Sequence, residues 1–225
     1  VAKTDSIISL DPIDRKKKKG PLQRLLITRY DGGKRIKKME PFGHYMWCGE
    51  QGSGKTSSAL WYAEKLAKKY KRKGMAVELY SNFGVGRYIE KELLFKTITD
   101  FDPVEKKVRI VIIDEIQTYF PKDINDKATQ QLKKELIALF SQLRKRSTFI
   151  LSTAQIYGRL DKALREQCLF MIDCKVSLTG KLVNEFIPQK EIMCDELGRW
   201  AGNPKYIYRH GLPKMKYDTK KIIRL

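Results

Sequence analysis

The sequence predicts an α/β chain with a mostly parallel central sheet held between helices. Three observations predict it. From residue 44 onward, short apolar runs alternate with segments of helical periodicity, the pattern of strands joined by crossover helices. Val108 to Ile113 is a β-branched run, as a strand buried on both faces requires. With 225 residues, 42% of them hydrophobic, the chain can fill one sizeable core.

Each element has a local reason. Residues 1–40 form a separate basic zone: Arg15-Lys16-Lys17-Lys18-Lys19 ends at Gly20-Pro21 and reads as an arm. Leu25 to Thr28, a turn at Asp31-Gly32-Gly33 and Arg35 to Lys38 predict a short hairpin. Tyr45 to Cys48 is an apolar strand, followed by a Gly-rich turn and a helix over Lys55 to Lys71. Met75 to Tyr80 is the next strand, Tyr88 to Ile98 a helix, and Val108 to Ile113 the buried strand. Ala128 to Arg146 is a helix, because Leu132, Leu136, Leu139, Phe140 and Leu143 recur along one face. Strands at Thr148 to Leu151 and Leu169 to Asp173 flank a helix over Asp161 to Gln167. From Glu185 onward, Gly198, Gly202, Pro204, Gly211 and Pro213 break the periodicity, so this end is expected to be irregular or short-stranded. The resulting division is 1–40, 41–180 and 181–225.

Charge narrows the function classes. Against 26 acidic residues stand 46 Lys+Arg, a net +20, which an ordinary metabolic enzyme does not need and a polyanion-binding protein does. No apolar run approaches the roughly 18–20 residues that cross a bilayer, and no signal peptide is visible. Val1 is not an initiator residue, so residues upstream are expected. Cys48, Cys168, Cys174 and Cys194 form no CxxC pair and are read as reduced buried thiols. Cys168, Cys174, Cys194 and His210 fit no usual zinc spacing.

Gly49-Glu50-Gln51-Gly52-Ser53-Gly54-Lys55-Thr56 matches GxxxxGK[ST] in full, with a strand before it and a helix after it. Its glycines let backbone N–H groups curl around a phosphate at a helix N-terminus. Residues 49–56 and Ser57 are therefore the nucleotide-binding candidates, with Lys55 reaching the β- and γ-phosphates of ATP and Thr56 a Mg²⁺ ligand. Ile110 to Glu115 is an apolar strand that delivers two acids to the sheet's C-terminal edge. Asp114 is expected to hold the Mg²⁺, directly or through water, and Glu115 is suited to polarise the attacking water. An adjacent Asp-Glu pair points to hydrolysis. Gln155, ending Ile150 to Ala154, is a candidate to sense the γ-phosphate, since an amide both donates and accepts; a strand-end cap is the plain alternative. Arg144, Arg146, Arg159 and Arg165 are candidates for an arginine that reaches a neighbouring subunit's ATP, with Arg146 the first choice. Cations at a helix C-terminus also simply complement the dipole. Trp47, Tyr119, Phe120 and Trp200 are aromatic candidates for stacking on bases, Trp47 being assigned to the core. Tyr119-Phe120-Pro121 is either a pore loop or a subunit contact.

On GEQGSGKT (49–56), VIIDE (111–115) and LSTAQ (151–155), residues 44–175 resemble P-loop ATPases of the FtsK/HerA superfamily. Within it the chain is similar to viral genome-packaging ATPases and to Zot-like phage assembly ATPases, the latter through Tyr80-Ser81-Asn82 and Gln155 followed by Asp161 and Arg165. The resemblance implies a RecA-like P-loop NTPase core, a ring, commonly hexameric, and hydrolysis coupled to movement of DNA, the double-stranded form preferred. It also implies capsid or membrane-associated viral partners and a place in the host cytoplasm, in the virion or peripherally at a membrane. Zot-like proteins usually add a transmembrane segment and a further domain. Neither is visible here, which favours a packaging motor over a membrane-anchored assembly protein. A nucleic-acid-binding module with a regulatory ATP site is the reading from another class, and Glu115 argues against it. A small-molecule kinase ranks last, because its acceptor pocket is not evident and +20 would be unexplained.

Overall fold

The computed structural model describes residues 27–29, 41–90, 93, 98, 106–119, 127–194 and 199–215. In chain order the elements are β1 (Ile27–Arg29), β2 (Gly43–Cys48), α1 (Lys55–Lys71), β3 (Ala76–Ser81), β4 (Arg87–Tyr88), β5 (Lys107–Ile113), α2 (Lys127–Gln142), β6 (Thr148–Ala154), α3 (Lys162–Glu166), β7 (Cys168–Val176), β8 (Leu182–Pro188), β9 (Met193–Cys194), β10 (Trp200–Ala201) and β11 (Tyr206–His210). One sheet runs β1-β11-β8-β7-β2-β6-β5-β3-β4, and β9 and β10 form a separate two-stranded ribbon. From β7 to β4 every pairing is parallel; β8, β11 and β1 continue the same sheet antiparallel. The α/β class with its mostly parallel sheet is therefore the observed one.

Alternation along each strand builds two cores. Tyr45 and Trp47 of β2 face α1, packing with Leu60, Tyr62 and Leu66 and with Ile110 and Ile112 of β5. Met46 and Cys48 face the other way, toward Leu139, Phe140 and Leu143 beside α2, Leu164 of α3, and Val111 and Ile113. Because successive side chains point to opposite faces and both faces are covered, β2, β5 and β6 tolerate almost no exposed polar group. Every residue of β2 and of β6 is buried. His44 and Ser152 pair with each other and with a thiol: His44 Nε2 lies 2.6 Å from Ser152 Oγ and its Nδ1 3.2 Å from Cys168 Sγ.

Helix α1 has the extent its periodicity predicts. Lys68, Lys69 and Lys71 in its last turn complement the helix dipole. Three expectations need correction, and a fourth is tested only in part. Helix α2 ends at Gln142, four residues early, because turns from Leu143 to Ser147 lead directly into β6. Arg87 and Tyr88 are a parallel edge strand on β3 and not the start of a helix; Ile89 and Glu90 are irregular, Leu93 lies in a turn, Ile98 is helical, and residues 91, 92 and 94–97 lie outside the described residues. The short strand at Ile27–Arg29 pairs with β11, and the remainder of the expected arm and hairpin lies outside the described residues. Cys48, Cys168 and Cys174 are buried thiols, but Cys194 is exposed, since β9 belongs to a surface ribbon.

Beyond residue 180 the chain is more regular than its breakers suggested. β8 and β11 carry Leu182, Phe186, Ile187, Ile207 and Tyr208 into the core.

Candidate active site

The phosphate loop follows directly from β2. Gly52 and Gly54 have φ of +79° and +81°, left-handed values that favour glycine. Gly54 is also the N-cap of α1, and a Cβ there would run into Leu182 of β8, so the antiparallel extension abuts the loop. Lys55 Nζ donates to the carbonyls of Gly49 (3.0 Å) and Glu50 (2.8 Å), folded back across the loop it would serve. Ser53 Oγ is buried and makes no hydrogen bond among the described residues. Glu50 and Gln51 are exposed, and Ser57 is buried in the first turn of α1.

Strand order brings the acids to this loop. β6 lies between β2 and β5, so the ends of three adjacent strands meet at one edge. Asp114, at the end of β5, is the hub. Its Oδ1 accepts from Thr56 Oγ1 at 2.8 Å and from Thr153 Oγ1 at 2.6 Å. Its backbone N–H donates to Asn82 Oδ1 (2.8 Å), and its carbonyl accepts from Asn82 Nδ2 (2.9 Å). Asn82 Nδ2 also donates to Tyr119 Oη at 3.0 Å.

Glu115 sits next to this hub in a left-handed backbone conformation, φ +52° and ψ +55°. A non-glycine residue there carries strain of roughly 1–3 kcal/mol and persists only when its surroundings hold it. Its N–H donates to Thr153 Oγ1 (2.9 Å), and its carbonyl accepts from the N–H and the hydroxyl of Thr118, both at 2.9 Å. Its carboxylate receives Gln155 Nε2 at 3.3 Å.

The structure thus brings Lys55, Thr56, Asp114, Glu115 and Gln155 to one edge. It does not bring Arg144 or Arg146 there. Both precede β6, so roughly 20 Å of strand separates them from Gln155. Arg146 Nη2 donates to Gln142 Oε1 at 3.3 Å. Arg165 donates to the Leu160 carbonyl (3.1 Å) and lies over the Tyr157 ring, and the side chain of Arg159 lies outside the described residues. Trp47 is fully buried, and Tyr119 is buried and bonded to Asn82.

Two residues at the hub carry roles that their motifs alone do not reveal. Thr153 bridges both acids, and Asn82 clamps the Asp114 peptide. The available signal was a polar pair, Ser152-Thr153, inside an otherwise apolar strand, and a polar Ser81-Asn82 step ending β3. Beside the loop opens a cavity of about 660 Å³, lined by residues 49–53, 173–176, 199 and 200. Lys175 Nζ spans Asp173 (2.9 Å) and Glu185 (3.0 Å) at its wall. Partial burial pulls this ammonium down, but the two carboxylates outweigh it and hold it above the usual lysine range.

A glycine-cradled loop at a helix N-terminus, a serine hydroxyl without a partner and a Thr-Asp pair sharing one carboxylate oxygen together define a P-loop ATPase. Residues 45–176, more than half of the chain, match the ATPase family associated with various cellular activities (AAA), and the chain belongs to that family. No curated protein matches it. Among solved structures it is similar to the N-terminal domain of zonular occludens toxin from Neisseria meningitidis (TM-score 0.52, 16% identity, covering 78% of this chain and 96% of that one). It is also similar to the genome packaging NTPase B204 from Sulfolobus turreted icosahedral virus 2 bound to ATP-gammaS (TM-score 0.49, 12% identity, covering 77% and 100%). At 16% identity the likeness to the first of these concerns the fold alone.

Members of this family take ATP with Mg²⁺, and the residues present fit both. The Ser53 hydroxyl and the loop amides suit phosphate oxygens, and Thr56 with Asp114 supplies hard oxygen ligands of the kind Mg²⁺ takes.

Proposed function

We propose that the chain is an ATP-driven DNA translocase of the FtsK/HerA type, packaging a viral genome. The observation that carries the DNA partner is the excess of 46 basic over 26 acidic residues on a chain whose ATP site needs few of them. The hub supports hydrolysis over a passive switch, since a switch has no need of a carboxylate held in strained backbone beside the Mg²⁺ ligands.

In the mechanism, Lys55 leaves the Gly49 and Glu50 carbonyls to meet the phosphates. Thr56 and Asp114 would hold Mg²⁺, which would neutralise charge on the phosphate oxygens. Glu115 Oε accepts a proton from the attacking water, and Gln155, already within 3.3 Å of that carboxylate, orients the water. An arginine from a neighbouring subunit completes the site, with Arg146 the first candidate.

DNA binding across a salt series tests the partner. A protein neutralising six to ten phosphates loses roughly 10³–10⁵ in affinity between 50 and 200 mM salt. We expect such a fall for duplex DNA, and stronger binding to DNA than to vesicles of anionic lipid. A flat salt dependence contradicts the proposal. Preference for the vesicles replaces it with a Zot-like assembly role at a membrane.

A further inference from the structure

We infer that Trp200, carried on the β9–β10 ribbon, is the stacking platform for the purine base of ATP. Trp200's role rests on ATP entering the phosphate loop and is independent of DNA as the partner.

The 660 Å³ cavity runs from the phosphate loop to the end of β7 and to Arg199 and Trp200. That volume suits a nucleotide-sized ligand, which needs roughly 300–1,000 Å³. Its lining joins residues 49–53 of the phosphate loop to Val176, half exposed, and Trp200, partly exposed. A large aromatic left partly open to water beside a phosphate site has an unsatisfied apolar face. A purine has the flat π-surface that covers such a face, and tryptophan is the residue with most area to offer.

The ribbon is held in place, which a platform requires. Trp200 pairs with Cys194 across β9–β10, and its indole also packs against the core cluster beneath. Gly202, just after β10, lies so close to the end of β8 that a Cβ would stand 2.6 Å from Ile187 Cγ2 and 2.8 Å from the Glu191 carbonyl. Only glycine permits that approach, so the backbone carrying Trp200 is seated directly on the sheet that holds the phosphate loop. The base would rest on residues outside the 45–176 family match.

The test compares MgATPγS with magnesium tripolyphosphate, which has the phosphates but no base, using calorimetric Kd values without DNA. Trp200→Ala should weaken ATPγS roughly ten- to hundredfold and leave tripolyphosphate within twofold of the unsubstituted protein. ATPγS should quench tryptophan emission in the unsubstituted protein, and Trp200→Phe should keep most of the ATPγS affinity but lose that quenching, since it comes from Trp200 and not from Trp47 or Trp61. Unchanged ATPγS affinity in Trp200→Ala, an equal loss for both ligands, or quenching that survives in Trp200→Phe overturns the assignment. Lys55→Ala separates this from failure of the ATP reading itself: there both ligands should weaken, and no change in either would remove the phosphate site.

Discussion

Thr153 Oγ1 donates to Asp114 and accepts from the Glu115 N–H, so a single group fixes both the proposed Mg²⁺ ligand and the strained backbone of the proposed base. Thr153→Val removes both bonds while keeping shape. It should cost about 1–3 kcal/mol of stability, because the Glu115 N–H and an Asp114 oxygen each lose a partner. It should also lower kcat about ten- to hundredfold through misplacement of Glu115. Thr153→Ser should restore both. Denaturant titration and steady-state kinetics check this, and a valine variant with normal kcat would show that Thr153 does not position Glu115. Residues 49–56 and Asp114-Glu115 were legible in the sequence, because each motif is contiguous and its spacing states its chemistry. Thr153 and Asn82 were not legible as a hub, because their bonds cross between adjacent strands and exist only once β3, β5 and β6 are in register.

At the scale of elements, β2 lies between β6 and β7, and His44 is where all three meet. Its ring contacts Ser152 and Cys168 and packs on Phe140 of α2. Complete burial lowers its pKa from 6.5 to about 3. The folded state therefore keeps His44 neutral while the unfolded chain takes up a proton below pH 6.5. Stability is full above that pH and falls as pH drops toward 3, at up to about 1.4 kcal/mol per unit. Between pH 7 and 5 the loss should be about 2 kcal/mol from this group. Burial lowers the His210 pKa as well and acts in the same direction. Urea midpoints at the two pH values should converge in His44→Asn; an unchanged pH slope would exclude His44 as the cause. The parallel strands were readable because burial on both faces leaves unbroken apolar runs. The antiparallel strands β8 and β11 were not, because Asn184, Glu185 and Arg209 interrupt their apolar runs, and β11 returns to β8 only past the intervening β9–β10 ribbon.

For the whole molecule, the AAA core accounts for ATP and leaves the charge of +20 to a partner. No helix among the described residues is long and apolar enough to cross a membrane. A ring of such subunits would face its cations toward a polyanion and complete each ATP site with a neighbour's arginine. Coupling between the two is the central claim, and steady-state ATP hydrolysis with and without duplex DNA measures it, with Glu115→Gln as the blank. DNA should raise turnover, and the variant should lower it about 10²–10⁴-fold with or without DNA. Turnover that ignores DNA, or that survives in Glu115→Gln, would contradict a DNA-coupled motor built on this site.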